Sequence, residues 1–323
     1  MSSHDIQNRL TDNSNVNAAV EDALKDFDLG KITDQTVIAV GFEDYNVHLK
    51  TEQGEYVAKV FSKNRTDEEI RRNVEILRAV NDSDVHHPEI MKLPSGDIYY
   101  VHSSGLSMVV MRYIPGKTYY ELQRSPTEAE LDLIAMEAYK INRLGIQPLP
   151  LFDSWAIPNF EWMYEQTKDF MNEEGLGLTT QALGHFRSLP LETLPKTFVH
   201  GDIIKSNTIL GDDGRVYVID FSVANIYPRV QELAVMAANL MADGEAEGAM
   251  TLRQRVDAVV ASYLRAGGEL TNEELQCVYD YALAGVAMEY MGGIYESSRG
   301  QDEAEVQYWQ GLGLAGLREA LAA

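Results

Sequence analysis

Apolar and polar residues alternate in two ways along this chain, and each way predicts a different kind of element. Residues 16–29 (VNAAVEDALKDFDL) repeat apolar positions at helical spacing after a polar, Asn-rich start, which predicts an amphipathic helix. Residues 36–61 instead alternate β-branched or aromatic residues with polar ones, which predicts strands. The sequence Glu-Gln-Gly-Glu at residues 52–55 interrupts this alternation and predicts a hairpin turn.

A second helix and two further strands complete the predicted first section. Residues 65–80 return to helical spacing, with Thr66 or Asp67 as the N-cap and acidic residues in the first turn. Residues 97–116 contain two apolar runs and end in a Pro-Gly turn, which predicts two strands followed by a turn.

From about residue 118 the pattern becomes mainly helical. Helices are predicted for residues 127–145 and 160–175, and in three stretches after residue 228. The chain therefore predicts an α+β fold: a small section with an antiparallel sheet, joined to a larger and mostly helical section. We expect the first section to span residues 1–111, the connection 112–117 and the second section 118–323.

Net charge narrows the classes of function. The 323 residues carry a formal net charge of −23 at pH 7. Such an acidic surface repels phosphodiester backbones and anionic lipids, so nucleic acid and membranes are not expected as partners. The charge is compatible with a cationic small substrate, and equally with a surface that only serves solubility or adaptation to salt. A nucleotide is itself anionic, so a nucleotide site here would require local positive charge or a metal ion.

Cysteine content and hydropathy indicate a cytoplasmic globular protein. The single cysteine, Cys277, excludes an intrachain disulfide framework, and its apolar helical context favours an inert core thiol. No apolar run reaches the roughly 18–20 residues that cross a bilayer. The first residues lack the basic and apolar segments of a signal peptide.

The chemistry is concentrated in residues 197–225 (TFVHGDIIKSNTILGDDGRVYVIDFSVAN). Two short apolar runs each lead to an acid, Asp202 and Asp220, and Asn207 lies between them. Carboxylate and amide oxygens suit Mg²⁺, which takes one or two protein ligands and completes its shell with water and phosphate oxygens. Asp202 could accept a proton from an attacking hydroxyl. Any of these residues alone fits an ordinary solvated turn better, and only the ordered set favours a site.

This stretch resembles the aminoglycoside phosphotransferase family. His-Gly-Asp ending at Asp202, then Asn207, then Ile-Asp-Phe around Asp220 match its catalytic and metal-binding motifs. That family includes homoserine-kinase-like and choline-kinase-like enzymes and has the bilobal protein-kinase-like fold. Eukaryotic protein kinases usually carry Arg where Gly201 stands and Gly where Ser222 stands. The resemblance implies that Asp202 is the catalytic base, and that Asn207 and Asp220 hold Mg²⁺ against the phosphates of ATP.

The resemblance also implies a nucleotide-binding lysine. Residues 54–61 (GEYVAKVF) look like the family's third strand, whose lysine, here Lys59, binds the α- and β-phosphates. Alone, Lys59 would fit a solvated strand face better. The family's next helix provides a Glu that orients this lysine, but the aligned position holds Asn73. Glu69, one turn earlier on the same face, is the best substitute, and we expect it to contribute to the nucleotide site.

Two more segments are assigned to the nucleotide by their order in the chain. Residues 40–49 (VGFEDYNVHL) are similar to the covering loop of homoserine-kinase-like enzymes, and would rely on Asn46 and backbone amides with the single Gly41. An ordinary β-turn explains them equally well. In residues 107–116, Arg112 and Ile114 would offer backbone groups to the purine, and Met111 would guard its pocket. An apolar strand followed by a turn is the alternative.

The function expected is ATP-dependent phosphoryl transfer to a hydroxyl of a small molecule, such as an amino alcohol, a sugar or an amine-bearing metabolite. Antibiotic phosphorylation, stress-related Ser/Thr protein phosphorylation and a catalytically inactive nucleotide-binding protein remain alternatives, and the chain could act as a monomer or a homodimer.

Glu232, where the family carries Asp, is expected to lie on a helix that braces the metal loop. Carboxylates and aromatics that could line the acceptor pocket are Asp153, Trp155, Glu161, Tyr279, Asp280, Glu289 and Tyr290. Taken singly, each of them fits an ordinary helix-surface acid or core aromatic better.

Overall fold

The computed structural model describes residue 10 and residues 16–38, 44–243, 248–300 and 304–322. The chain divides into two compact units, the first ending at Pro115 and the second beginning at Gly116. This division falls inside the predicted connection, residues 112–117. Among the described helices, none has both the length and the apolar character needed to cross a membrane.

The first unit is built around one antiparallel sheet. Its order is β1-β2-β3-β5-β4, from strands β1 (Ile32–Ile38), β2 (Tyr45–Thr51), β3 (Gly54–Val60), β4 (Tyr100–Val101) and β5 (Ser107–Arg112). The predicted hairpin is present, because Thr51 pairs with Gly54 across a turn at Glu52 and Gln53. Alternate residues of β2, from Tyr45 to Leu49, are buried, as the polar and apolar alternation predicts.

The described part of the first unit contains two long helices. Helix α1 (Val16–Asp26) buries one face, including Val20 and Leu24, in the apolar core under the sheet. Helix α2 (Asp67–Asn81) begins at Thr66, which forms a capping box with Glu69: the Thr66 side chain accepts from Glu69 N–H, and the Glu69 carboxylate accepts from Thr66 N–H. This reciprocal pair satisfies two backbone donors at the start of the helix.

The second unit contains five short strands in two small sheets, counted over its described residues. They are β6 (Gly116–Thr118), β7 (Lys196–Val199), β8 (Thr208–Gly211), β9 (Val216–Val218) and β10 (Asn225–Pro228). Strands β6, β8 and β9 form one sheet in that order, and β7 pairs with β10 in the other. The two apolar runs of residues 197–225 therefore belong to different sheets.

The other regular elements described in the second unit are helices. Its helices are α3 (Tyr119–Leu122), α4 (Glu128–Asn142), α5 (Phe160–Thr167), α6 (Glu173–Arg187), α7 (Val230–Val235), α8 (Leu252–Arg265), α9 (Asn272–Ser298) and α10 (Ala304–Leu321). Helix α7 continues into a π-helical segment, Met236–Leu240. Helix α9 packs against α5, α6, α7, α8 and α10, which makes it the central element of the unit.

Two helix predictions differ from the structure. The helix predicted over residues 160–175 ends near Thr167, and a new helix begins after Asn172, whose side chain accepts from the Gly175 N–H. This Asn cap is a start signal inside a stretch with continuous helical spacing. After residue 228 the described residues contain four helices, where three were predicted.

Candidate active site

The loop after β7 carries the predicted catalytic base and holds it in place. Asn207 Nδ2 donates to Asp202 Oδ2 at 2.5 Å and to the Asp202 carbonyl at 3.2 Å. The loop closes through a 3-10 turn, in which the Asn207 N–H donates to the Ile204 carbonyl at 3.1 Å. One Asp202 oxygen is thus fixed by a hydrogen bond from the Asn207 amide.

The His200 ring hydrogen bonds two backbone segments, one at Asp202 and one at Ile219. Its Nδ1 accepts from the Asp202 N–H at 3.2 Å, so the proton of a neutral ring belongs on Nε2, which lies 3.1 Å from the Ile219 carbonyl. The ring is fully buried and meets Phe221 edge to face, with centroids 4.5 Å apart. His200 therefore links the Asp202 loop to the segment that carries Asp220.

Asp220 lies at a conformationally special position. Its φ is 65°, which falls in the left-handed region that few non-glycine residues adopt, Asn and Asp being the most frequent. The Ser222 N–H donates to Asp220 Oδ1 at 3.3 Å, and the preceding Ile219 N–H donates to the Asn207 carbonyl at 3.0 Å. Backbone bonds thus connect the two predicted metal ligands, Asn207 and Asp220.

A buried carboxylate on helix α7 anchors the turn before Asp202. Glu232 accepts from the His200 N–H at 2.6 Å and from the Gly201 N–H at 3.2 Å, and Gly201 has a φ of 79°. Burial raises the pKa of Glu232 to about 7, although the two amide donors favour its ionised form. Glu232 was expected to lie on a helix that braces the metal loop, and in the structure its carboxylate binds the backbone of the turn before Asp202.

Replacing Glu232 with Gln should change how stability depends on pH. Because its pKa rises from 4.5 to about 7 on folding, the wild type binds an extra proton when folded, and loses stability as pH rises across that range. The loss is on the order of 3 kcal/mol. Denaturant unfolding at both ends of the range should show that the wild type loses stability relative to Glu232→Gln. If the free energy of unfolding changed with pH equally in the two proteins, the raised pKa would not belong to Glu232.

Three other carboxyl groups lie close enough to Asp202 to act on its charge. Asp202 keeps partial contact with solvent, yet desolvation raises its pKa well above the usual range. The negative charges of Asp153, Asp220 and Glu289 raise this pKa further, while the hydrogen bond from Asn207 opposes the rise. A bound cation among these carboxylates would lower the pKa and restore the ionised base.

Glu289 belongs to the face of helix α9 that is turned toward the Asp202 loop. Its carboxylate accepts from Asn239 Nδ2 at 2.9 Å, and Asn239 Oδ1 accepts from the Lys205 N–H at 3.2 Å. Burial raises the pKa of Glu289 to about 7. Asn239, which the sequence analysis did not single out, therefore connects α9 to the catalytic loop.

An indole lies on the same face of α9. The Trp155 ring covers Gly292 so closely that a Cβ at residue 292 would overlap it. The Trp155 side chain also hydrogen bonds Glu296, and the Trp155 backbone N–H donates to Asp153 Oδ1 at 2.9 Å. Asp153, Trp155 and Glu289 were all predicted to line the acceptor pocket. The other four predicted lining residues have different contacts: Glu161 pairs with Arg187, Asp280 with His185, Tyr279 lies under Arg253, and Tyr290 packs at Gly175.

In the first unit, Asp44 places a carboxylate beside Lys59. The Lys59 Nζ lies 3.3 Å from Asp44 Oδ2, and both side chains are buried. Glu69, the predicted partner, uses its carboxylate in the cap with Thr66. Asp44 was missed because it immediately precedes β2, far along the chain from α2, and nothing in the local spacing marks it.

The other predicted nucleotide contacts are distributed as follows. Asn46 is directly opposite Lys59 in the β2–β3 ladder, so the two side chains share a face of the sheet. Gly41 lies outside the described residues. The Arg112 backbone N–H donates to the Glu89 carbonyl at 2.8 Å, so a contact of Arg112 with a purine would use its carbonyl and stays a prediction. Met111 forms a bridge with Ile90, and the role of Ile114 stays a prediction.

The residues present fit a magnesium ion. Within the described part of the chain, no group of three or more His, Cys, Asp or Glu side chains has the arrangement of a metal site. Mg²⁺ does not need one, since one or two protein oxygens with water and phosphate complete its shell. Asn207 commits its nitrogen to Asp202, which leaves its oxygen for a cation, and Asp220 adds a carboxylate.

Comparison with known proteins places the chain in a family. A profile of the phosphotransferase enzyme family matches residues 34–274, more than half of the chain. Among solved structures, a microcompartment-associated aminopropanol kinase superposes with a TM-score of 0.69 at 14% identity, over 93% of this chain and 95% of that one. Amicoumacin kinase hAmiN, in complex with AMP-PNP, Ca²⁺ and Ami, gives 0.66 at 12% identity, over 98% and 95%. Choline kinase LicA from Streptococcus pneumoniae gives 0.62 at 16% identity, over 94% and 99%.

These likenesses confirm the predicted α+β, protein-kinase-like fold, with an antiparallel sheet in the N-terminal region and a helical C-terminal region. The profile match includes Lys59, Asp202, Asn207 and Asp220, the four residues on which the resemblance rests most heavily. The predicted family and enzyme class are therefore confirmed: the chain belongs to the phosphotransferase enzyme family.

Proposed function

We propose that this protein transfers the γ-phosphoryl group of ATP to a hydroxyl of a small acceptor that carries a positively charged amine. The observation that carries the proposal is the bonding of Asp202 to Asn207, and of Asn207 to the segment of Asp220. A candidate base and two candidate metal ligands are thereby held together by short bonds within one unit. Turns that merely carry solvated acids would not need this bonding.

Asp202 is the proposed base of the reaction. Its carboxylate orients the acceptor hydroxyl and takes the proton as the hydroxyl oxygen bonds to the γ-phosphorus and the bond to ADP breaks. Asn207 keeps the carboxylate in one orientation through the 2.5 Å bond to Oδ2. His200 and Glu232 hold the backbone of the loop. The base therefore has its reactive orientation before the reaction begins, and no free energy is spent on ordering it during the chemical step.

Two sets of residues are proposed to bind the nucleotide. In the first unit, Lys59 would bind phosphate oxygens, since its ammonium is fixed in a buried position. In the second unit, Asn207 and Asp220 would hold Mg²⁺. When bound, the ion supplies positive charge to the phosphates. This local charge explains how a chain with a net charge of −23 could bind a polyanion.

The acceptor is proposed to be cationic because carboxylates surround the base. Asp153 and Glu289 act on Asp202 electrostatically, and Trp155 provides an aromatic face beside Asp153. Carboxylates with an aromatic face favour an ammonium group over a neutral sugar. Solved structures of the same fold include kinases named for aminopropanol and for choline, which both combine an amine with a hydroxyl.

A protein substrate is less well supported. Strand β10 begins at Asn225, directly after the turn that follows Phe221. This leaves no room in the chain for the long activation segment that protein kinases place after the metal-binding motif. A small-molecule acceptor needs no such segment, so the short connection between Phe221 and β10 supports a small acceptor.

The test is an acceptor screen with MgATP, read by the mass of the phosphorylated product. Amino alcohols and aminoglycosides should be phosphorylated, and neutral polyols of the same size should not, with Asp202→Asn as the negative control. Preferential phosphorylation of neutral polyols would contradict the cationic acceptor. Phosphorylation of proteins alone would contradict a small-molecule kinase.

Replacing Glu289 with Gln should weaken acceptor binding selectively. Loss of a charged contact is expected to raise KM for an amine-bearing acceptor by roughly 10-fold or more, with KM for ATP unchanged. Because the pKa of Glu289 is about 7, the wild type should bind the cation more tightly as pH rises from about 6 to 8, and the variant should not. Glu161→Gln, which removes a carboxylate paired with Arg187 at the surface, is the matched control. An unchanged KM in Glu289→Gln would exclude Glu289 from the acceptor site.

A further inference from the structure

Three charged side chains meet in the first unit, almost entirely out of solvent. The side chains of Lys59 and Asp44 are 8% and 2% exposed, and that of Arg65 is 10% exposed. Their formal charges sum to one positive charge. A buried ammonium costs much free energy unless it is paired, so the carboxylate between the two cations decides whether this arrangement is stable.

The Asp44 carboxylate is itself fixed from two other directions. Its Oδ1 accepts from the Ser62 N–H at 3.1 Å and from Arg65 Nε at 2.8 Å. Its Oδ2 accepts from Arg65 Nη2 at 2.9 Å and lies 3.3 Å from Lys59 Nζ. The two-bond fork of Arg65 fixes the plane of the carboxylate, and the carboxylate in turn fixes the ammonium.

The three residues come from different segments. Asp44 immediately precedes β2, Lys59 lies near the end of β3, and Arg65 immediately precedes Thr66, the cap of α2. The middle of α2 contributes no charge at the position aligned with the orienting acid. Asn73 is buried there, and neither its amide nitrogen nor its amide oxygen has a hydrogen-bond partner.

We propose that Asp44 is the positioning residue of Lys59, and holds its ammonium ready for the phosphates of the nucleotide. The lysine stem is flexible, and the ammonium can make three hydrogen bonds. Contact with a rigid carboxylate orders the stem, so less side-chain entropy is lost when the ammonium meets a ligand. Asp44 thus replaces the acid expected from α2, and Arg65 keeps Asp44 rigid. This inference rests on the proposed function, since it assigns a role within the nucleotide site.

The first test compares ATP with adenosine as ligands of the Asp44→Asn variant. If Asp44 positions Lys59, ATP affinity in calorimetry should fall by about 10- to 100-fold, and adenosine affinity should not change. Asp82→Asn is the matched control, because it neutralises an acid that pairs with a lysine, Lys92, at the exposed surface at 3.4 Å. Unchanged ATP affinity in Asp44→Asn would overturn the inference.

A second variant introduces a carboxylate on α2, at the position aligned with the family's orienting acid. The double variant Asp44→Asn/Asn73→Glu should bind ATP at least tenfold more tightly than Asp44→Asn alone, again without a change in adenosine binding. A loss that this replacement does not reverse would make Asp44 a structural residue only. If Asp44→Asn does not fold, Arg65→Lys still tests the inference. It keeps the charge but loses the fork, so ATP affinity should fall by a smaller factor, and unchanged affinity would overturn the inference.

The outcomes separate this inference from the proposed function. If the wild type does not bind MgATP, the proposed function fails and the inference fails with it. If the wild type binds MgATP and phosphorylates an acceptor, while Asp44→Asn binds ATP as tightly as the wild type, only the inference fails.

Discussion

Replacement of Asp202 with Asn is expected to lower turnover by about 10²- to 10⁴-fold, and to leave the affinity for MgATP within a few-fold of wild type. Asn has almost the shape of Asp, and its side-chain oxygen can still accept from Asn207 Nδ2. The loop should therefore keep its conformation. What disappears is the negative charge that accepts the proton of the acceptor hydroxyl, and this is needed only in the chemical step.

The measurement is single-turnover product formation with saturating MgATP, beside nucleotide binding by calorimetry. Asp212→Asn is a suitable control, because Asp212 is an exposed acid in the turn between β8 and β9. Turnover within tenfold of wild type would remove Asp202 from the role of base. A parallel loss of nucleotide affinity would instead show that Asp202 acts on nucleotide binding.

Replacement of Asp220 with Asn is expected to abolish MgATP-dependent turnover at ordinary magnesium concentrations. Asn is the appropriate substitute, because Asp220 has a φ of 65° and Asn tolerates that conformation better than Ala does. The Ser222 N–H can still donate to the new side chain, so the loop keeps its bonds. The variant therefore removes charge rather than structure, and a neutral amide binds Mg²⁺ more weakly than a carboxylate.

The diagnostic readout is the stabilisation of the protein by nucleotide with and without magnesium. In the wild type, magnesium should increase the melting temperature shift caused by ATP, and in Asp220→Asn this increase should be absent. The Asp202→Asn variant should retain the increase, which separates the two acids. An unchanged magnesium dependence in Asp220→Asn would refute its assignment as a metal ligand.

The sequence by itself determined the elements and the order of the motifs. Strand and helix periodicities located the β2–β3 hairpin and the start of α2, and the family's motifs singled out Asp202, Asn207 and Asp220. These features are readable because the residues concerned are close in the chain. In the structure, two of them touch directly and backbone bonds connect the third, all within one short segment.

Only the tertiary structure decided which charges meet. It joined Asp44 to Lys59, and it brought Glu289 of α9 close enough to raise the pKa of Asp202. Sequence periodicity shows which face of an element is buried, but not which distant element packs against that face. Which distant residues pair depends on how the elements pack against one another. Because an unpaired charge is costly to bury, a buried cation must lie beside a carboxylate, and the packing determines which carboxylate that is.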